Sequence, residues 1–367
     1  MRDPRVAKLA DIIVNYCCKV KKGELILVNG NELSKPLILE IFKAALQCGA
    51  HPYVRLAVDG LQEAFLKEAK DFQLKFVSPI AKFEVGKIDC LVGIRGPHNT
   101  REMSNIDPKR QAMQQEANKG IQKLFMERSA KGELKWVATQ YPTHAAAQDA
   151  AMSLPDYENF VFNACLVHKK DPVAEWKKIS KKQEKIVRFL NTKKNIRIVA
   201  KDTDIAFNVQ GRKWINCDGD NNFPDGEVFT GPVENSANGH IRYTFPAIYG
   251  GREVEDVFLE FKDGKVVKAK AVKGEKFLHA MLDMDAGASF VGELAMGTNY
   301  GIRQYTKNIL FDEKIGGSVH MAIGQSYLQT GGKNESPIHW DMIANMNNGG
   351  EIFADGEKIY ESGKFLF

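Results

Sequence analysis

ELILVNG, residues 24–30, is the stretch on which the fold turns. Four apolar residues, Leu25 to Val28, run into an Asn-Gly turn, the pattern of a short strand. On either side the period changes. RVAKLADIIVNYCCKV (5–20) repeats its apolar residues at helical spacing, and so does LSKPLILEIFKAALQCGA (33–50), which closes at Gly49. The alternation continues. HPYVRLAV (51–58) reads as a strand, LQEAFLKEAKDF (61–72) as one helix, and IDCLVGIRG (88–96) as a strand. A long helix follows over 107–131, then the strand KWVATQYP (135–142). Strands separated by helices predict a parallel, helix-covered sheet. The loops after two of these strands, VNGNE and IRGPHN, contain neither GxGxxG nor GxxxxGK[ST], so no nucleotide fingerprint is present.

The pattern shifts after an amphipathic helix over 172–193, whose apolar residues are Val173, Trp176, Ile179, Ile186, Val187 and Leu190. From NIRIVAKDTDIAFNVQ (195–210) onward, strands and turns dominate. VFLEFKDGKVVKAKAV (257–272) and EIFADGEKIYESGKF (351–365) each place Asp-Gly between two alternating runs, the signature of a hairpin. The expected organisation is an α/β domain over 1–185 and a β-rich α+β domain over 186–367.

Composition narrows the function. The 367 residues carry 51 basic and 46 acidic side chains, a net charge of +5, interleaved rather than clustered. That argues against nucleic acid as a partner. The densest basic stretch, WKKISKKQEKIVRFLNTKK (176–194), is the solvated face of the amphipathic helix. No run approaches the ~18 apolar residues of a membrane span. Six cysteines, Cys17, Cys18, Cys48, Cys90, Cys165 and Cys217, form no CxxC pair and are expected as buried free thiols. With no signal-peptide pattern at the N-terminus, the expected location is the cytoplasm.

The chemistry-bearing residues gather in the second half. SPIHWDMI (336–343) spaces His339 and Asp341 two apart, so on a strand both project to one face and Trp340 to the other. Glu227 follows the Pro-Asp-Gly of NNFPDGEVFTGP; Glu293 lies between Gly292 and an apolar run; His320 lies in an apolar strand after two glycines. A carboxylate buried alone is costly, and a metal or a second charge removes that cost. Two glutamates, two histidines and an aspartate are N/O donors suited to zinc, cobalt or manganese, and five are enough for two ions sharing a carboxylate. Their separations of 66, 27, 19 and 2 residues match no local motif, so residue type alone leaves plain core and salt-bridge roles open.

The chain as a whole resembles the aminopeptidase T family of thermophilic-type metallo-aminopeptidases, which also includes aminopeptidase S-like enzymes. The resemblance runs through LADIIVNYCCKVKKGELILV, YPTHAAAQDAAM and DPVAEW, then more densely through TDIAFNVQGRKW, NFPDGEVFTGP, GELAMGTN, ILFDEKIGGSVHMAIGQSY and SPIHWDMI. It implies hydrolysis of the N-terminal residue from short peptides by two divalent metal ions per chain. The implied ligands are Glu227, Glu293, His320, His339 and Asp341, with Glu293 bridging. It also implies a homodimer, and a tyrosine near the metals at Tyr327, whose phenol would donate to a developing oxyanion. The chain departs from the pattern at one point. Some relatives carry a second glutamate where this chain has Gly226, so Asp225 and Glu313 become the alternative candidates for a general base. A catalytically silent metal- or peptide-binding protein of the same fold is the competing reading.

Overall fold

The computed structural model describes residues 3–367 and divides the chain into two compact units. One holds the chain up to Val173 together with Gly219–Pro224; the other holds Ala174–Asp218 and Asp225–Phe367.

The first unit is built on a five-stranded, all-parallel sheet. Its order is His51–Leu56, Leu25–Gly30, Cys90–Arg95, Lys135–Gln140 and Asn222–Phe223. The ELILVNG strand lies inside it with Ile26 and Val28 fully buried, as an apolar run in a helix-covered sheet should. The crossovers are helices Lys35–Gln47 and Pro108–Ala130. The latter starts where Asp107 accepts the Lys109 N–H ahead of Pro108. LQEAFLKEAKDF is not the single helix its period suggests. It breaks into Leu61–Glu68 and Asp71–Leu74, because Ala69 is extended and the Gln73 side chain accepts the Lys70 N–H to start a new turn. Helices His144–Asp149 and Leu154–Ala164 were not foreseen. Thr143 and Ser153 open them by accepting from the Ala146 and Asp156 N–H groups.

The second unit begins within helix Pro172–Leu190, which buries Trp176, Ile186, Val187 and Leu190. An eight-stranded antiparallel sheet follows, with Asn195–Ala200 and Thr203–Asn208 near its middle. Both foreseen hairpins belong to it. Asp263 and Gly264 (φ 49° and 84°), and Asp355 and Gly356 (50° and 85°), take the left-handed pair that a two-residue hairpin turn needs. A five-stranded sheet completes the unit, in the order His339–Asn345, Ser318–Gly324, Val291–Gly297, Glu227–Thr230 and Ile215–Cys217. One face of it joins the eight-stranded sheet in a single core, with Leu294, Met296, Met321, Trp340 and Met342 against Ile198, Ile205 and Phe207.

None of the six cysteines is bridged. Cys17, Cys18, Cys90 and Cys165 are buried as expected, whereas Cys48 and Cys217 are half-buried. Among the described residues no helix is long and apolar enough to cross a membrane.

Candidate metal centre

The register of the five-stranded sheet explains how residues far apart in sequence meet. Glu293 pairs with Ala322, and Ala322 with Asp341; His320 pairs with Ala295; Gly324 pairs with His339; Glu227 pairs with Gly297. Directly opposed residues share a face, as do residues two apart. Glu227, Glu293, His320, His339 and Asp341 therefore project from one face, each opposite an alanine or glycine that leaves it room. Trp340 points the other way, 1 % exposed in the core.

Glu293 reaches that face only through an irregularity. Val291 pairs with Ile323 on the core face, and strict alternation would put Glu293 there too. A bulge between Val291 and Glu293 shifts the register by one residue and turns the carboxylate over. Gly292 permits it: a Cβ there would lie 2.2 Å from the Gln325 carbonyl oxygen. That same carbonyl accepts from His339 Nδ1 at 2.8 Å, which turns Nε2 toward the carboxylates of Glu293 and Asp341.

The donor atoms converge in two overlapping groups. Glu227, Glu293 and His320 bring one atom each within 4.8 Å of one another, and so do Glu293, His339 and Asp341. His320 Nε2 is 3.3 Å from Glu227 Oε2 and 3.5 Å from Glu293 Oε1. His339 Nε2 is 3.2 Å from Glu293 Oε2 and 3.5 Å from Asp341 Oδ1. Charge-assisted hydrogen bonds are shorter, about 2.7–2.9 Å. Donor atoms bound at ~2.0–2.2 Å to one ion lie about 3.0–3.5 Å apart, which is the spacing found. Glu227 Oε2 and Asp341 Oδ1 are buried without a hydrogen-bond partner. The residues thus fit divalent cations, with one Glu293 oxygen in each group.

Electrostatics agree. Burial lowers the basicity of both imidazoles, but the carboxylates overcome it: His320, beside Glu293 and Glu227, is raised to about 9, and His339, beside Asp341 and Glu293, well above its ordinary value. Burial raises Asp341 and Glu293, yet the imidazoles reverse this, holding Asp341 at about 2 and Glu293 below the usual range. Such a pocket draws positive charge.

Around the five lie groups that the sequence left unplaced or unnoticed. Glu313 forms a further group with His320 and Asp341, and so spans both halves of the centre; burial raises its carboxyl to about 7. Asp225 lies on the far side of Glu227, 3.9 Å from Lys314. A side chain at 226 is blocked, because Gly226 has φ 122° and a Cβ would meet Asn299 Cβ at 2.7 Å. Lys314 was overlooked. It is fully buried, 2.8 Å from Glu227 Oε1, and also paired with Glu313. Burial pulls its pKa down, and the charges of Glu227, Glu313 and Asp225 more than reverse that. Gln183 was overlooked as well. From its helix its amide donates to the Cys217 and Glu227 carbonyls at 2.8 and 2.9 Å, tying together the ends of two neighbouring strands. The signal for both was available: a lone lysine between an acidic pair and an apolar strand, and an amide among the apolar positions of an amphipathic helix. Tyr327, 38 % exposed, lays its ring edge-on against His339 and Phe229 at 5.1 and 5.3 Å.

Comparison with known proteins bears on the whole chain. The profile of the thermophilic metalloprotease (M29) family matches residues 2–365. Aminopeptidase 2 of Geobacillus stearothermophilus is 29% identical, covering 98% of this chain and 97% of its own. Aminopeptidase PepS of Streptococcus thermophilus is 30% identical over 61% of each. The wild-type AmpT structure from Thermus thermophilus superposes with a TM-score of 0.87 over 99% of both chains at 21% identity, which shows the shared fold.

Proposed function

The chain belongs to the thermophilic metalloprotease (M29) family, and from that premise we propose that it is an aminopeptidase, removing the N-terminal residue of short peptides with two divalent cations. The observation that carries the dinuclear reading is the position of Glu293, one oxygen toward His320 and Glu227, the other toward His339 and Asp341. The carboxylates of Asp225, Glu227, Glu293, Glu313 and Asp341 outnumber the Lys314 ammonium, so the group carries net negative charge when both imidazoles are neutral. Divalent ions would offset it.

When bound, such ions would lower the pKa of a water and polarise the scissile carbonyl. The chain's own groups do the rest. Glu227, Glu293, His320, His339 and Asp341 hold the ions, and the Gln325 carbonyl fixes the tautomer of His339. Glu313 is assigned as the proton carrier, since it alone of the two candidates groups with His320 and Asp341, whereas Asp225 groups with Cys217 and Glu227. The Tyr327 phenol donates to the oxyanion. The homodimer, and zinc, cobalt or manganese as the ion, are part of this proposal.

The test strips the metal with a chelator and follows leucyl-anilide hydrolysis as each ion is returned, with metal content measured alongside. Activity should vanish and return, saturating near two ions per chain. Two bound ions without hydrolysis of any unblocked peptide would instead indicate a silent binding protein. Full activity in a sample shown to be metal-free would end the metal mechanism.

A further inference from the structure

The row of alternating charge does not stop at Glu227. Beyond it, Cys217, Asp225 and Glu227 bring one ligand atom each within 4.8 Å of one another. Cys217 is the cross-strand partner of Glu227, and Asp225 precedes it by two residues. Here a cation is already in place: the Lys314 ammonium, fully buried, 2.8 Å from Glu227 Oε1 and 3.9 Å from Asp225 Oδ1. We propose that the Lys314 ammonium fills a third cation position, built from Cys217, Asp225 and Glu227, and is a positioning residue that holds Glu227 by Oε1 so that Oε2 alone turns to His320.

This rests on the dinuclear reading and extends it. The order along the row is Lys314, Glu227 with His320, the shared Glu293, then His339 with Asp341. Each place that holds or would hold a cation lies between carboxylates, and Glu227 and Glu293 each turn one oxygen to either side. Glu227 shows this division: Oε1 takes the ammonium, while Oε2 is buried without a hydrogen-bond partner, 3.3 Å from His320 Nε2. Lys314 is also tied to Glu313, so it fixes the proton carrier and a ligand together. A lysine suits a position that must stay filled. It cannot be chelated or exchanged, and a buried charge is tolerated only when paired this closely. Its ammonium ligates no metal, and it keeps the half-buried Cys217 thiol from recruiting one.

The test is cobalt binding to Lys314→Ala and Lys314→Arg beside the wild type, by titration and absorption. Alanine empties the position, so this variant should bind one more cobalt than the wild type and show a thiolate-to-cobalt charge-transfer band, which Cys217→Ser in the same background should remove. The arginine variant should keep the wild-type stoichiometry without the band. A folded alanine variant with wild-type stoichiometry and no band overturns the proposal, and an alanine variant that folds only with cobalt supports it. Should it not fold at any cobalt concentration, the double variant Lys314→Met, Asp225→Asn decides. Its weaker cobalt step should loosen by about tenfold or more if Lys314 orients a ligand; a step within about twofold of wild type overturns the proposal. A wild type that binds no cobalt would instead refute the dinuclear reading.

Discussion

Both five-stranded sheets of this chain contain fully buried strand positions, and the chemistry of those positions is opposite. In the parallel sheet, strand Leu25–Gly30 buries Ile26 and Val28 as ordinary core. In the antiparallel sheet, strands Val291–Gly297 and Ser318–Gly324 are buried at all seven positions, yet one face carries Glu293 and His320 among alanines and glycines. Burial alone therefore does not distinguish scaffold from site. What distinguishes them is buried charge whose atoms lack a hydrogen-bond partner, as at Glu227 Oε2 and Asp341 Oδ1.

Substitutions in the two sheets should separate these roles. The largest effect is expected from Glu293→Gln, which keeps the shape but removes the charge shared by both groups. Its kcat should fall by roughly a thousandfold or more, with metal content reduced and circular dichroism unchanged. Wild-type turnover would break the shared-carboxylate reading. Next is Gly292→Ala. The added methyl meets the Gln325 carbonyl, so the support of His339 shifts and the bulge is strained. Metal affinity should drop about 10- to 100-fold, read by titration with a metal indicator. Retained affinity would show that the carbonyl does not set the imidazole. Tyr327→Phe should lower kcat by about a hundredfold while KM and metal content hold, if the phenol acts on the oxyanion; an unchanged kcat would return it to a packing role. Ile26→Ala in the parallel sheet should be the mildest for catalysis. It should cost about 2–4 kcal/mol in denaturant unfolding while kcat per folded molecule stays at the wild-type value. A loss of kcat there would tie the scaffold to the chemistry.

Much of the architecture was legible because it is local. The alternation of strand and helix over 24–142 and the two Asp-Gly hairpins follow from period and from the turn residues' tolerance of positive φ. The break at Ala69 was hidden, because capping by Gln73 competes with a continuous helical period. Strand Asn222–Phe223 was hidden too: two residues that complete a parallel sheet by pairing with Ala138 and Thr139 carry no periodic signal of their own.

The sequence by itself determined the donor types, the one-face projection of His339 and Asp341, and the likeness to a family of metallo-aminopeptidases. Tertiary structure alone decided that the five donors share one face. That outcome depends on strand register, and at Glu293 on a bulge that reverses what alternation predicts. It also decided that Glu313 and not Asp225 faces both donor groups, and that Lys314 is buried against Glu227. Such pairings are set by which strands and turns pack together, and separations of 66, 27 and 19 residues encode nothing of that locally.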